Sequence, residues 1–140
     1  MTTPAQLEEA AAPVPPGNQA LAFPALHDPR YPIHRLADEV EPYLRLIVER
    51  FCPRRIILFG SQIYGEPSRD SDVDVLVVRE GITSENVGTA EILNALWEVE
   101  GPRPSFTILT KTPERIAERL AANSPFYREI VAKGLEVYAA

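Results

Sequence analysis

Cysteine occurs once in this chain, at Cys52, which excludes an internal disulfide and a cysteine-built zinc site. Its apolar neighbours point to a buried, inert thiol rather than a reactive one. Histidine is almost as scarce. His27 and His34 have no other metal ligands at useful spacing and read as surface residues. Basic residues are outnumbered, 14 against 20 acidic, for a net charge of −6. Without clustered Lys and Arg, stable nucleic-acid binding is not expected. No apolar run approaches the roughly 18–20 residues of a membrane span. No charged segment followed by an apolar one opens the chain as a secretory leader would. A cytoplasmic protein with no membrane partner is the expectation. What is present is an ordinary globular composition, 45% apolar over 140 residues, enough for one domain with one core.

Seven of the 14 prolines fall in residues 1–32. No apolar period runs through this stretch, so residues 1–30 read as a Pro/Ala-rich tail, disordered or extended, and 31–140 as the folded domain. Leu36, Val40, Leu44, Ile47, Val48 and Phe51 recur at helical spacing and predict a helix over 35–51, stopped by Pro53. Strands are predicted at 55–59, 72–78 and 104–110, with a short last one at 135–138. A second helix is expected over 85–99, with Val87, Ile92, Leu93, Leu96 and Trp97 on its apolar side. Thr112-Pro113 and Ser124-Pro125 read as start signals for two more helices, running to about Ala121 and Lys133, with Gly134 as the stop. Trp97 and Tyr43 are expected in the core. The pattern is α/β: a small mixed β-sheet with helices mainly on one face.

Two segments carry chemistry. Ile56-Ile57-Leu58-Phe59 runs into Gly60-Ser61, a buried-type strand ending in a small-residue turn. Backbone N–H groups at such a turn, and the Ser61 hydroxyl, suit phosphate. Alone this is a weak signal. About a dozen residues later Asp72 and Asp74 interrupt an apolar strand. Alternation puts both carboxylates on one face, roughly 6.5–7 Å apart at Cα. Leu76 and Val78 continue that face as apolar residues, so the acids are confined to one end. A carboxylate there is costly unless paired, hydrogen-bonded or bound to metal. An edge strand with one wet face is the plain alternative. Two carboxylates also suit Mg²⁺, or Mn²⁺, which takes further oxygens from substrate phosphates. Arg69 is placed either to neutralise a triphosphate or to pair with Asp70. Lys111 is placed to reach phosphate or to lie on the surface. Tyr64 sits in the turn, within packing reach of a nucleotide.

Taken together, Gly60-Ser61, Gly65 and Ser71-Asp72-Val73-Asp74 resemble the nucleotidyltransferase signature of the DNA polymerase beta superfamily, closest to its minimal nucleotidyltransferase branch. The similarity is strong over 56–78 and looser over about 34–140, including Phe126-Tyr127-Arg128-Glu129-Ile130 through Gly134 to Tyr138. The resemblance implies the polymerase-beta palm fold and a nucleotide site of Gly60, Ser61, Tyr64, Arg69 and Ser71. Asp72 and Asp74 would be the catalytic metal ligands. ATP or another NTP would be the substrate. The family also has a third carboxylate on the neighbouring strand, as general base. Here Ser105 or Thr107 occupies that place, and neither takes a proton at neutral pH. Glu98 and Glu100 come earlier and would have to reach in. Members of this branch are often antitoxins paired with a helical HEPN-type toxin, and some transfer AMP to a hydroxyl on that partner. The acidic charge and the lack of room for a second lobe agree with a protein acceptor. A non-catalytic binding module is the competing expectation; a free-standing polymerase ranks below both.

Overall fold

The apolar runs of the sequence meet in one four-stranded sheet. The computed structural model describes residues 21–68 and 71–140; residues 1–20, with most of the predicted tail, and Arg69-Asp70 lie outside the described residues. The strands are β1 (Arg55–Phe59), β2 (Val73–Val78), β3 (Phe106–Lys111) and β4 (Leu135–Ala139), and the helices are α1 (Ala37–Phe51), α2 (Ser61–Tyr64), α3 (Glu85–Leu96), α4 (Pro113–Ala121) and α5 (Pro125–Lys133). The strand order is β3-β2-β1-β4. β1 pairs antiparallel with β2, from Arg55 opposite Val78 to Phe59 opposite Asp74. It pairs antiparallel with β4 on its other side. β2 and β3 are parallel, with Asp74 opposite Thr107, and α3 makes the crossover between them. The sheet is therefore mixed.

Alternation divides the side chains between two layers. Ile56, Leu58, Val73, Val75, Val77 and Ile108 face the larger core, under Val40, Tyr43, Leu44 and Ile47 of α1 and Ile92 and Leu96 of α3. Ile57, Phe59, Leu76 and Val78 face the smaller core, covered by Ile116 of α4 and Tyr127 and Ile130 of α5. Asp74 shares this second face. Helix starts follow their predicted caps in part. The Thr112 hydroxyl accepts from the Arg115 N–H at 3.1 Å ahead of Pro113, whereas Ser124 makes no such bond. Gly134 does not adopt the left-handed conformation of a usual helix stop, its φ being −66°. It is needed for close approach: a Cβ there would stand 2.7 Å from Ile57 Cγ2 and 3.1 Å from the Leu58 carbonyl.

Four expectations change. Residues 21–30 are packed rather than tail: Phe23 and Leu26 are fully buried in the larger core, and Pro24–His27 and Pro32–Leu36 form 3-10 turns ahead of α1. Trp97 is 71% exposed and lies beneath the Arg103 guanidinium at 4.4 Å, so it is a surface ring and not a core one. Val87 and Leu93 are exposed with it, because α3 buries the stripe Gly88, Ile92, Ala95 and Leu96. Cys52 is exposed, since it caps α1 in the left-handed conformation (φ 48°) and turns outward. Tyr43 is buried as expected, its hydroxyl donating to the Pro102 carbonyl at 2.8 Å.

Candidate active site

β1 ends at Phe59 beside Asp74, so the turn that follows lies at the acidic end of β2. Gly60 has φ 79° and ψ −160°, a combination open in practice only to glycine. It also leaves room for Asp74: a Cβ on Gly60 would stand 2.0 Å from Asp74 Oδ2. The carboxylate therefore rests against the Gly60 Cα. Gly65 closes the same loop, since a Cβ there would stand 2.7 Å from the Ser61 Cα. These two contacts fold Ser61–Tyr64 back into one helical turn over the acids.

Asp72 immediately precedes β2 and is exposed, and Asp74 is half-buried. Burial, and then the negative charge of Asp72, push the Asp74 carboxyl above its ordinary range, and the nearby Thr107 hydroxyl offsets part of this. Thr107 Oγ1 donates to Asp72 Oδ2 at 3.0 Å. Thr107, opposite Asp74 in the parallel ladder, thus stands on the neighbouring strand beside both acids. Of the two positions for the absent carboxylate, it is the one that touches them; the Ser105 backbone carbonyl instead accepts from Val73 N–H at 2.8 Å. Glu98 does not reach in, being bound to Arg50 of α1 at 2.7 Å across the other layer. Among the described residues no third Asp, Glu, His or Cys joins the pair. Two carboxylates, the charge of Asp72 disfavouring that of Asp74 against a backbone turn, fit a hard divalent cation that completes its shell from phosphate and water. Asp72 and Asp74 would hold it.

Ser61 is partly exposed at the first position of α2, and Tyr64 ends that turn. Burial pushes the Tyr64 phenol up; a hydrogen bond with the Gly60 backbone opposes this, and the charges of Glu129 and Asp74 add to it. Tyr64 therefore belongs to the site's wall. Ser71 is committed to its own loop, its Oγ accepting from Ser68 N–H at 2.8 Å. Arg69 lies outside the described residues. Lys111 is at the opposite end of β3, opposite Val78, and donates to Glu85 at 2.8 Å, so it has no path to this site. Sequence reasoning passed over Gln62. It is fully buried, and its Nε2 donates to the Ser71 carbonyl at 3.2 Å, tying α2 to the entry of β2. A glutamine between the Gly60-Ser61 turn and Ile63 is the only hint the sequence carries.

The family model described as a nucleotidyltransferase domain matches residues 43–132, well over half of the chain. The chain belongs to that family. No curated protein and no solved structure matches it. The matched span of the nucleotidyltransferase domain opens within α1, ends within α5 and takes in Gly60, Ser61, Asp72, Asp74 and Thr107. The resemblance seen in Gly60-Ser61 and Asp72-Val73-Asp74 therefore holds at the level of the family and its fold. Among the described residues no helix is long and apolar enough to cross a membrane.

Proposed function

We infer that the chain binds a metal-complexed NTP and transfers its nucleoside monophosphate, with AMP the first candidate, to a hydroxyl on a partner protein. The partner we have in mind is a HEPN-type helical protein, with this chain as its antitoxin. The observation that carries the reading is the contact of the Asp74 carboxylate with the Gly60 Cα, which joins the acid pair and the phosphate-type turn into one site. Nucleotidyl transfer is supported by the family. The protein acceptor is supported by the net charge of −6, which disfavours a nucleic-acid acceptor.

In the transfer, the acceptor hydroxyl oxygen bonds to the α-phosphorus as its proton passes to solvent water, the α–β anhydride bond breaks, and pyrophosphate leaves with the electron pair. Asp72 and Asp74 would hold a divalent cation, which would supply neutralisation of phosphate charge and polarisation at phosphorus. Gly60 and Ser61 present N–H groups and a hydroxyl to the phosphates. Gln62 holds the two acids in register with that turn. Thr107 orients Asp72 and cannot take the acceptor proton. Positioned general-base catalysis is worth about 10²–10⁴-fold, so turnover should be slow.

One observation favours a second reading, a nucleotide-binding module without turnover: Thr107 stands where the third carboxylate would. Labelled ATP, Mg²⁺ and the product of the neighbouring gene, incubated with the chain and with Asp72→Ala, separate the two. Label on the partner that Asp72→Ala abolishes is the expected result. Label that appears only with Thr107→Asp marks an impaired enzyme. No label in any arm removes the transferase reading.

A further inference from the structure

One stripe of α5 faces the candidate site, and the proposed transfer uses none of it. Phe126 and Lys133 are seven residues apart on that helix and so lie on one face, ~10 Å apart along its axis at 1.5 Å per residue. Each touches a residue of the site's rim. The Phe126 ring meets Phe59 edge-on at 5.8 Å, and Phe59 is opposite Asp74 and directly precedes Gly60. Lys133 Nζ lies 6.0 Å from the centre of the Tyr64 ring, at the other end of the turn. Between them, Glu129 is among the groups acting on the Tyr64 phenol and pairs with Lys133 at 3.8 Å.

Phe126 is the unusual member. It is 47% exposed, although a second near-perpendicular ring, Tyr127 at 5.2 Å and 87°, also holds it. A large apolar ring fixed in orientation by two neighbours, with about half its surface left in water, is a platform for another flat ring. The polyphosphate needs positive charge beyond what a cation on two carboxylates provides, and Lys133 stands beside the turn that would hold it. The spacing from Phe126 to Lys133 is comparable to the reach of an extended nucleoside triphosphate.

We propose that α5 is the nucleotide-binding wall of this site, with the Phe126 ring stacking the base and Lys133 meeting the polyphosphate. This rests on the site being a metal–NTP site at all. It names two further binding residues, and because stacking reads only a π-face, it makes the site tolerant of which base is bound.

The test is titration calorimetry on the full chain with Mg²⁺-ATP and, separately, with Mg²⁺-tripolyphosphate, which has no base. Phe126→Ala should weaken ATP about tenfold and leave tripolyphosphate unchanged, and Phe126→Trp should restore ATP affinity. Lys133→Gln should weaken both ligands about fivefold. Lys133 is 61% exposed, so its variant keeps the fold even where Phe126→Ala does not. ATP binding that survives Phe126→Ala and Lys133→Gln but is lost in Asp74→Ala overturns the α5 wall and leaves the metal–nucleotide site standing. So does a Phe126→Ala that weakens ATP and tripolyphosphate alike. A wild-type chain that binds no ATP overturns both readings.

Discussion

Substituting Gly60 by alanine tests the site's geometry without any ligand. The added Cβ would meet Asp74 Oδ2 at 2.0 Å and Asp74 Cγ at 3.0 Å, and Asp74 Cβ at an ordinary 3.4 Å. The clash is therefore with the carboxylate and not with the strand that carries it. The backbone at φ 79° and ψ −160° adds a penalty of its own, about 1–3 kcal/mol for a residue with a side chain. Displacing the wedged carboxylate costs about 1–3 kcal/mol more, the usual range for overpacking. Gly60→Ala should thus lose about 2–6 kcal/mol in all. Asp74→Ala removes the clashing atoms and leaves the backbone strain. In that background Gly60→Ala should cost only the strain, giving a favourable coupling of about 1–3 kcal/mol between the two positions. Urea unfolding followed by far-ultraviolet circular dichroism measures all four proteins of the cycle. Additive losses would refute the reasoning, because they would mean that Asp74 does not rest on Gly60.

Other outcomes follow from the packing. Phe23→Ala should cost about 3–5 kcal/mol in the same urea assay, as for a core phenylalanine, where a tail residue would cost nothing. Glu85 is partly buried, which alone would raise its carboxyl, but Lys111 and Arg115 outweigh this and hold it below the ordinary range. Its contribution is therefore complete above pH 4.5 and is lost as pH falls through the lowered folded value. Glu85→Gln should cost about 1 kcal/mol at neutral pH, and the gap to wild type should close in acid, as read by thermal melts across pH. Trp97 is the only tryptophan and is 71% exposed, so its fluorescence maximum should barely move on unfolding; a large red shift would place it in the core after all.

How legible the molecule was varied with the kind of force involved. β1 could be read residue for residue, because a continuous apolar run stands between Pro53 and Gly60 and nothing competes with it. α4 and α5 were bounded by Thr112-Pro113, Ser124-Pro125 and Gly134, local signals that need no tertiary context. α3 was found, but its buried side was misjudged. Gly88 and Ala95 sit against the core, where small residues let the helix close on the sheet, and they carry little apolar signal. The larger Val87, Leu93 and Trp97 carry more and face outward. Phe23 and Leu26 are isolated between prolines and show no period; only the core they fill reveals them. In the site, the pairing of Asp72 and Asp74 was legible from alternation alone. That Thr107 rather than Ser105 meets them depends on the β2–β3 register, which a sequence does not state. The rim role of α5 depends on how the second layer packs, and its residues look like any amphipathic helix.

The central claim is that Gly60, Asp72 and Asp74 form a metal-dependent NTP site. Calorimetric titration of the full chain with ATP, with and without Mg²⁺, in wild type and in Asp74→Asn tests it most directly. Saturable binding that requires Mg²⁺ and disappears in Asp74→Asn is the predicted result. Binding of equal strength in both proteins, or none in the wild type, would contradict it.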